Sequence, residues 1–226
     1  MPTKYVELLT YIGKNYSKVF LNDLKKYNIF YKYWIPDKID DLIERYTESG
    51  IMPYWGYVWP SSIALIKFLL KNKDLFNKKD VLDLGCGVGV SSLPIATSCK
   101  NITLVDYQVE ALFFAKLNFL ENLIPLDNVQ FINMDWNFFS LNKNFDLIIG
   151  ADIIYEQSNF YGIKNILLNN LKKEGCLILT EPGRTVSINF LQNLSKYFKQ
   201  VKIVKEKFVD KHINQTIIIH IFQSLL

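Results

Sequence analysis

A chain of 226 residues is long enough to bury one well-filled α/β core, and no Pro-, Gly- or Ser-rich linker divides it, so one main domain with one principal site is expected. The formal charge of +4 comes almost wholly from lysine, with Arg45 and Arg184 the only arginines. The lysines are scattered among Asn and Ile, which disfavours a nucleic-acid groove. Cys86, Cys99 and Cys176 lie too far apart for a C-x-x-C metal or redox motif, and their odd number argues against a disulfide framework. A reducing, cytoplasmic compartment and no metal are expected.

In chain order, MPTKYVELLTYIGKNY has helical periodicity at Tyr5, Leu8, Leu9 and Ile12 without the apolar centre of a signal peptide, and no segment approaches a membrane span. The first 75 residues read as helices broken at Pro36 and Pro53. This gives an N-terminal helical extension over 1–50 and a main domain over 51–226. From about residue 80, the runs KDVLDL, NITLVD, NVQFIN, FDLIIG and CLILTE alternate with segments such as VEALFFAKLNFLEN and FYGIKNILLNNLKKEG. Strands that alternate with helices of this length imply right-handed crossovers and a mainly parallel sheet. A helix near Val186 to Tyr197 follows, then VKIVKEKFV and QTIIIHIF, joined by the polar turn DKHIN and therefore antiparallel neighbours. The expected fold is α/β: a Rossmann-like, seven-stranded, mostly parallel sheet ending in an antiparallel hairpin, with helices on both faces.

VLDLGCGVGV runs from a strand into SSLPIATSC, which is expected to open a helix with Pro94 in its first turn. Gly85, Gly87 and Gly89 let the backbone turn sharply and approach a ligand closely. Val90 stands where a nicotinamide-binding fingerprint wants glycine or alanine. Asp83, inside the strand, is poorly placed for a pyrophosphate but suits a ligand carrying an ammonium and a sulfonium; the bland alternative is that it caps the turn. The pattern resembles the first motif of S-adenosylmethionine-dependent methyltransferases. Asp106 ends the second strand in TLVDYQ, where an acid either accepts from both ribose hydroxyls or caps the helix starting near Val109; beside the glycine loop the ribose reading is preferred. Asp135, in FINMDW, stands where this class of enzyme presents a carboxylate to the adenine amino group, with Trp136 beside it for ring packing; the alternative is a solvated loop acid.

GADIIYE, residues 150 to 156, follows the fourth strand and places Asp152 and Tyr155 at a strand end, where ligands gather in such sheets. Ile153 and Ile154 replace the prolines of the N/D-P-P-Y pattern of adenine and glutamine-amide methyltransferases. The D-x-x-Y sequence resembles instead the seven-β-strand protein lysine methyltransferases, in particular the electron-transfer flavoprotein β-subunit lysine methyltransferase type. MPYWGYVWPSS (52 to 62), the D-x-G-x-G-x-G loop and EPGR (181 to 184) carry the same likeness, which covers roughly residues 50 to 185.

The resemblance implies S-adenosyl-L-methionine as cofactor and a protein lysine as substrate. It implies that Asp152 positions the incoming ammonium and that Tyr155 walls the lysine channel, against the alternatives of a cap and a packed ring. Trp59 would line the donor pocket, unless it is only a core anchor, and Tyr54 and Trp55 the acceptor pocket. Pro60, Ser61 and Ser62 look like a helix start aimed at the donor's methionine carboxylate. Arg184 would hold a substrate carboxylate or tie Glu181 in place. Methyl transfer from a sulfonium is an in-line displacement without a covalent intermediate, in keeping with a chain whose two histidines, His212 and His220, are remote from any triad motif. Three other readings are weighed. One is an N-methyltransferase for a small molecule or another protein group, and another is a non-catalytic nucleotide-binding module. An NAD-dependent oxidoreductase is disfavoured by Val90, Asp83 and the lack of a Tyr-x-x-x-Lys pair.

Overall fold

The structure, a computed structural model, describes residues 3–16, 18–36, 43, 52–138 and 141–225. Its centre is β3 (Asp80–Leu84), buried along its whole length, as strands covered on both faces must be. It pairs in parallel with β4 (Asn101–Asp106) on one side and β6 (Phe145–Ala151) on the other. Beyond β4 lies β5 (Val129–Asn133), and beyond β6 lies β7 (Leu171–Glu181). The antiparallel hairpin of β8 (Phe198–Asp210) and β9 (Ile213–Ser224) closes the sheet, with β9 against β7, in the order β5-β4-β3-β6-β7-β9-β8. The expected seven-stranded sheet is therefore present. Because the chain leaves β3 to one side and returns on the other, a crevice opens at the carboxyl ends of β3, β4 and β6.

Period-two alternation divides the core. Val81, Ile102, Leu104, Ile149, Ile178 and Ile219 face α2 (Pro60–Lys71), α3 (Val109–Glu121) and α1 (Thr3–Asn15), whereas Leu82, Leu84, Val105, Ile148, Leu179 and Phe222 face α4 (Phe160–Asn170) and α5 (Thr185–Leu194). A register shift between Phe145 and Leu147 leaves Asp146 to accept from Asp80 N–H (2.9 Å) and Lys172 Nζ (2.9 Å) at the opposite end of the sheet. Among the described residues, no helix is long and apolar enough to cross a membrane.

Two expectations are corrected. SSLPIATSC does not form a regular helix: from Gly87 to Ser98 the chain is a run of turns. Its bonds mix two spacings, Ser92 N–H to Gly89 O (3.1 Å) and Ile95 N–H to Ser92 O (3.2 Å) beside Ala96 N–H to Ser92 O (3.1 Å). Pro94 supplies no N–H and biases Leu93 away from helical dihedrals, so the ladder stays irregular.

The N-terminal extension, expected to be helical, also contains a β-hairpin. After α1, β1 (Val19–Asp23) pairs antiparallel with β2 (Lys32–Pro36). VFLND and KYWIP are rich in the β-branched and aromatic residues that favour strands. Asp23 Oδ1 accepts from Lys25 N–H (3.0 Å) to start the connecting turn, and Asn28 (φ 62°) adopts the left-handed conformation that ends it. The expected helices over 37–42 and 44–51, and the expected boundary at residue 50, lie outside the described residues.

The free edge of β2 is closed by side chains of the last turn and C-cap of α3. Asn118 accepts from Trp34 N–H (2.6 Å) and donates to Trp34 O (3.1 Å), and Asn122 does the same for Lys32 (2.9 and 2.7 Å). Two asparagines one helical turn apart are spaced by about 6 Å, close to the roughly 6.7 Å between alternate residues of a strand, so one helix face serves as a substitute strand. Trp34 Nε1 and Tyr5 Oη add bonds to Glu121 on the same helix.

Candidate active site

At the end of β3 the chain turns through Gly85, Gly87 and Gly89, all at positive φ (68°, 53° and 78°). Gly85 is required twice over: a β-carbon there would be strained, and would sit 2.8 Å from Ile153 Cγ2 and 2.9 Å from Trp136 Cζ2. The turn floors a cavity of about 370 Å³, within the size range of small-molecule sites. Cys86 in this turn stays a thiol, because burial first, and then the Asp106 and Asp83 charges, push it well above the usual range.

Asp106 ends β4 and lines the cavity. Gly87 N–H (2.8 Å) and Gln108 N–H (3.0 Å) bond its two oxygens, one each, and fix the plane of the carboxylate. Burial raises this acid to about 6 despite those bonds. Asp83 is buried beneath the glycine turn, where it accepts from Ser92 Oγ (2.6 Å), and it is not one of the cavity-lining residues. Burial, opposed by the Ser92 bond and reinforced by Asp106, raises it to about 7. Asp135 Oδ1 accepts from Asn137 N–H (2.8 Å) and so caps its own turn while still lining the cavity beside Trp136.

Much of the remaining cavity lining is aromatic. Trp59 donates its Nε1–H to Tyr54 O (3.0 Å), and Tyr54 packs edge-on against both Trp59 (6.1 Å) and Tyr155 (5.2 Å). Trp55 is buried, its ring 5.6 Å from Phe114 and its backbone carbonyl against Gly87. The Tyr155 hydroxyl is held protonated, its pKa pushed up by burial and then by the Glu156 charge. α2 starts at Pro60 as expected, and Ser62 reaches the cavity. Asp152, in the left-handed conformation (φ 60°), accepts from Ser61 Oγ (3.1 Å) on Oδ2 and is ion-paired with Arg184 on Oδ1. Arg184 neither lines the cavity nor bonds the Glu181 carboxylate through its guanidinium; only its backbone N–H does that (3.0 Å).

Thus Tyr54, Trp55, Trp59, Gly85, Gly87, Asp106, Asp135, Trp136, Asp152 and Tyr155 line one cavity, while Gly89, Asp83 and Arg184 stand behind it. Tyr57, Gln108 and Glu156 also line it and were not singled out from the sequence. The repeated aromatics of Y-W-G-Y-V-W were the available signal for Tyr57; Gln108 has none, since its role depends on the fold. The indole N–H groups of Trp55 and Trp136 and the amide Nε2 of Gln108 are buried without a partner. Buried donors are rarely left so, and three of them around one cavity fit a ligand rich in acceptors.

A sheet of this order, with a glycine turn and an acid ending the next strand, is the α/β methyltransferase fold. N-methyltransferase NodS from Bradyrhizobium japonicum WM9, in complex with S-adenosyl-L-homocysteine, superposes with a TM-score of 0.62 at 17% identity, over 84% of this chain and 100% of that one. The chain belongs to the lysine methyltransferase family, whose pattern matches residues 42–201. An electron transfer flavoprotein beta subunit lysine methyltransferase of Danio rerio is 33% identical over 58% of this chain and 51% of its own length. A histidine protein methyltransferase 1 homolog of Dictyostelium discoideum is 29% identical over 60% of this chain and 43% of its own. The chain thus spans about half the length of these curated relatives.

Proposed function

We propose that the protein transfers the methyl group of S-adenosyl-L-methionine to a lysine side chain of another protein, with an electron-transfer flavoprotein β subunit as the first candidate. The observation that carries this reading is one cavity lined by a fixed carboxylate, Asp106, together with the rings of Tyr54, Trp59 and Tyr155 and the carboxylate of Asp152. Family membership and the similarity to the relative named as an electron transfer flavoprotein beta subunit lysine methyltransferase support it.

The bound donor would supply an electrophilic methyl carbon on a sulfonium. Asp106 has the position and the fixed plane to accept from ribose hydroxyls, Asp135 and Trp136 to meet the adenine, and the Gly85–Gly89 turn to let backbone pass close beneath. Trp59 and the start of α2 would hold the methionine end. Asp83 would act from below, its ionisation favoured by the cationic ligand. Tyr54, Trp55 and Tyr155 would line the acceptor channel, their ring faces suited to an ammonium or methylated amine. Asp152 would orient the acceptor nitrogen, which loses its proton to solvent before it attacks; the N–C bond forms as the S–C bond breaks and sulfur takes the electron pair. With both oxygens engaged by Ser61 and Arg184, the carboxylate orients rather than abstracts. A cytoplasmic location is proposed from the free thiols Cys86, Cys99 and Cys176.

The test is to incubate the purified protein with methyl-labelled donor and either the flavoprotein β subunit or a whole lysate, and to locate the label by mass spectrometry, with Asp152→Asn as control. Label on lysines of one or a few polypeptides, lost in the variant, is the expected result. Label on histidine or on small molecules would retain the methyltransferase and change its acceptor. No label, with no donor binding by calorimetry, would overturn the reading.

A further inference from the structure

Asp152 is held from behind the cavity wall by an assembly that spans four elements. Its backbone N–H donates to Thr180 O (2.8 Å) on β7, and Thr180 Oγ1 donates to Ser61 O (3.1 Å) on α2. Ser61 Oγ returns a bond to Asp152 Oδ2 (3.1 Å), and the Arg184 guanidinium pairs with Oδ1. Arg184 comes from the Pro182–Gly183 turn between β7 and α5, and that turn is itself anchored. Glu181, 1% exposed, accepts on one oxygen from Gly183 N–H (2.6 Å), Arg184 N–H (3.0 Å) and Ser187 Oγ (2.8 Å). Its other oxygen faces His220 Nε2 (3.2 Å), whose Nδ1 lies 3.1 Å from Gln200 Nε2. An amide donor at Nδ1 assigns the ring proton to Nε2, so that His220 donates to Glu181.

We propose that Arg184 is a positioning residue for methyl transfer, acting through Asp152 by locking its carboxylate in one orientation at the acceptor end of the cavity. The inference rests on the methyltransferase reading. A carboxylate with one oxygen on a hydroxyl and the other on a planar guanidinium cannot rotate, and its remaining lone pairs point in fixed directions toward an incoming N–H. Such geometry matters because a displacement of about 1 Å in an aligned displacement costs on the order of a hundredfold in rate. The guanidinium also offsets the charge that a fourth acid would otherwise add to a cavity already walled by Asp106, Asp135 and Glu156. Glu181 extends the chain of support by one step: it holds the turn from which Arg184 reaches.

The experiment compares wild type, Arg184→Ala, Arg184→Lys, Glu181→Gln, Asp152→Asn and the Asp152→Asn/Arg184→Ala double variant, using the full chain, labelled donor and the acceptor protein. Arg184→Ala is expected to lower kcat by about ten- to a hundredfold while donor Kd by calorimetry stays within about twofold. Arg184→Lys restores part of the rate as a point charge without the planar fork, and in the Asp152→Asn background the Arg184→Ala change adds less than about twofold, as for residues that act as one unit. Since Arg45 is the only other arginine, the guanidinium 15N spectrum of an Arg45→Lys protein reports Arg184 alone, and its restrained signal is expected to be lost in Asp152→Asn. Should Arg184→Ala fail to fold, Arg184→Lys and Glu181→Gln carry the same comparison of kcat against donor affinity. Retention of kcat within about twofold, or equal losses in kcat and donor binding, would overturn the inference and leave the function standing. A wild type that binds donor yet methylates no lysine would overturn both.

Discussion

At the scale of single residues, Asp83 and Asp106 are the unusual groups, two acids that the fold buries within one site. Both are raised mainly by burial, Asp83 to about 7 and Asp106 to about 6. A carboxyl whose folded pKa lies above its unfolded value stabilises the fold fully below the unfolded value, near 4, and that contribution is lost as pH rises through the folded value. The ligand-free protein should therefore lose stability between about pH 4 and 7, on the order of a few kcal/mol from Asp83. Asp83→Asn keeps an acceptor for Ser92 Oγ and removes the charge. The variant is expected to match wild type at or below about pH 4, to exceed it increasingly up to pH 8, and to show a flatter dependence of Tm on pH. Parallel curves for the two proteins would mean that Asp83 does not titrate in this window. The same change should weaken donor binding at pH 8, where wild type carries the anion that a cationic ligand favours.

At the scale of elements, the asparagine clasp between α3 and β2 joins the extension to the site. Asn118 is fully buried, and besides its two bonds to Trp34 it donates to Val88 O (2.8 Å) in the cavity-lining turn. Asn118→Ala leaves the part-buried Trp34 N–H and carbonyl and the buried Val88 carbonyl without this partner, a cost of roughly 2–4 kcal/mol. Urea unfolding should show that loss, together with weaker donor binding; a stability change below about 0.5 kcal/mol would mean that water replaces the amide. This clasp also explains what the sequence concealed. β3, β4 and β6 and the second half of β7 were legible because strands buried on both faces are near-continuous apolar runs, β5 by its β-branched and aromatic residues, and the last hairpin because two runs rich in β-branched residues flank a short polar turn. The β1–β2 pair was not, since it is half-exposed and its free edge is completed by residues 84 and 90 positions away. The site divides in the same way. The glycine turn, Asp106, Asp135 and the D-x-x-Y pair are local patterns at strand ends. The Arg184–Asp152 pair, Asp83 beneath the floor and Gln108 in the wall are contacts made only once β3, β6 and β7 lie side by side.

At the scale of the whole molecule, the cavity sits where most of these elements meet: the ends of β3, β4 and β6, the start of α2 and the turn before α4 all contribute walls. A ligand that fills it bonds to parts of the chain brought together only by folding, so occupancy and global stability are linked. At a hundredfold excess over Kd, S-adenosyl-L-homocysteine should stabilise the protein by about 2.7 kcal/mol. For a chain of this size that is a rise in Tm of about 5–10 °C. The shift should also depend on pH in a stated direction. Ribose hydroxyls donate to Asp106 best when it is ionised, and Asp106 ionises only above about 6 in the free protein; at fixed ligand concentration the rise in Tm should therefore grow from pH 5.5 to pH 8. Asp106→Asn, which retains an acceptor oxygen but no charge, should give a smaller shift that varies less over that range, the remaining dependence coming from Asp83, which ionises near 7. A shift of equal size at both pH values in the wild type would remove Asp106 from donor recognition, whereas the absence of any shift would remove the cavity itself.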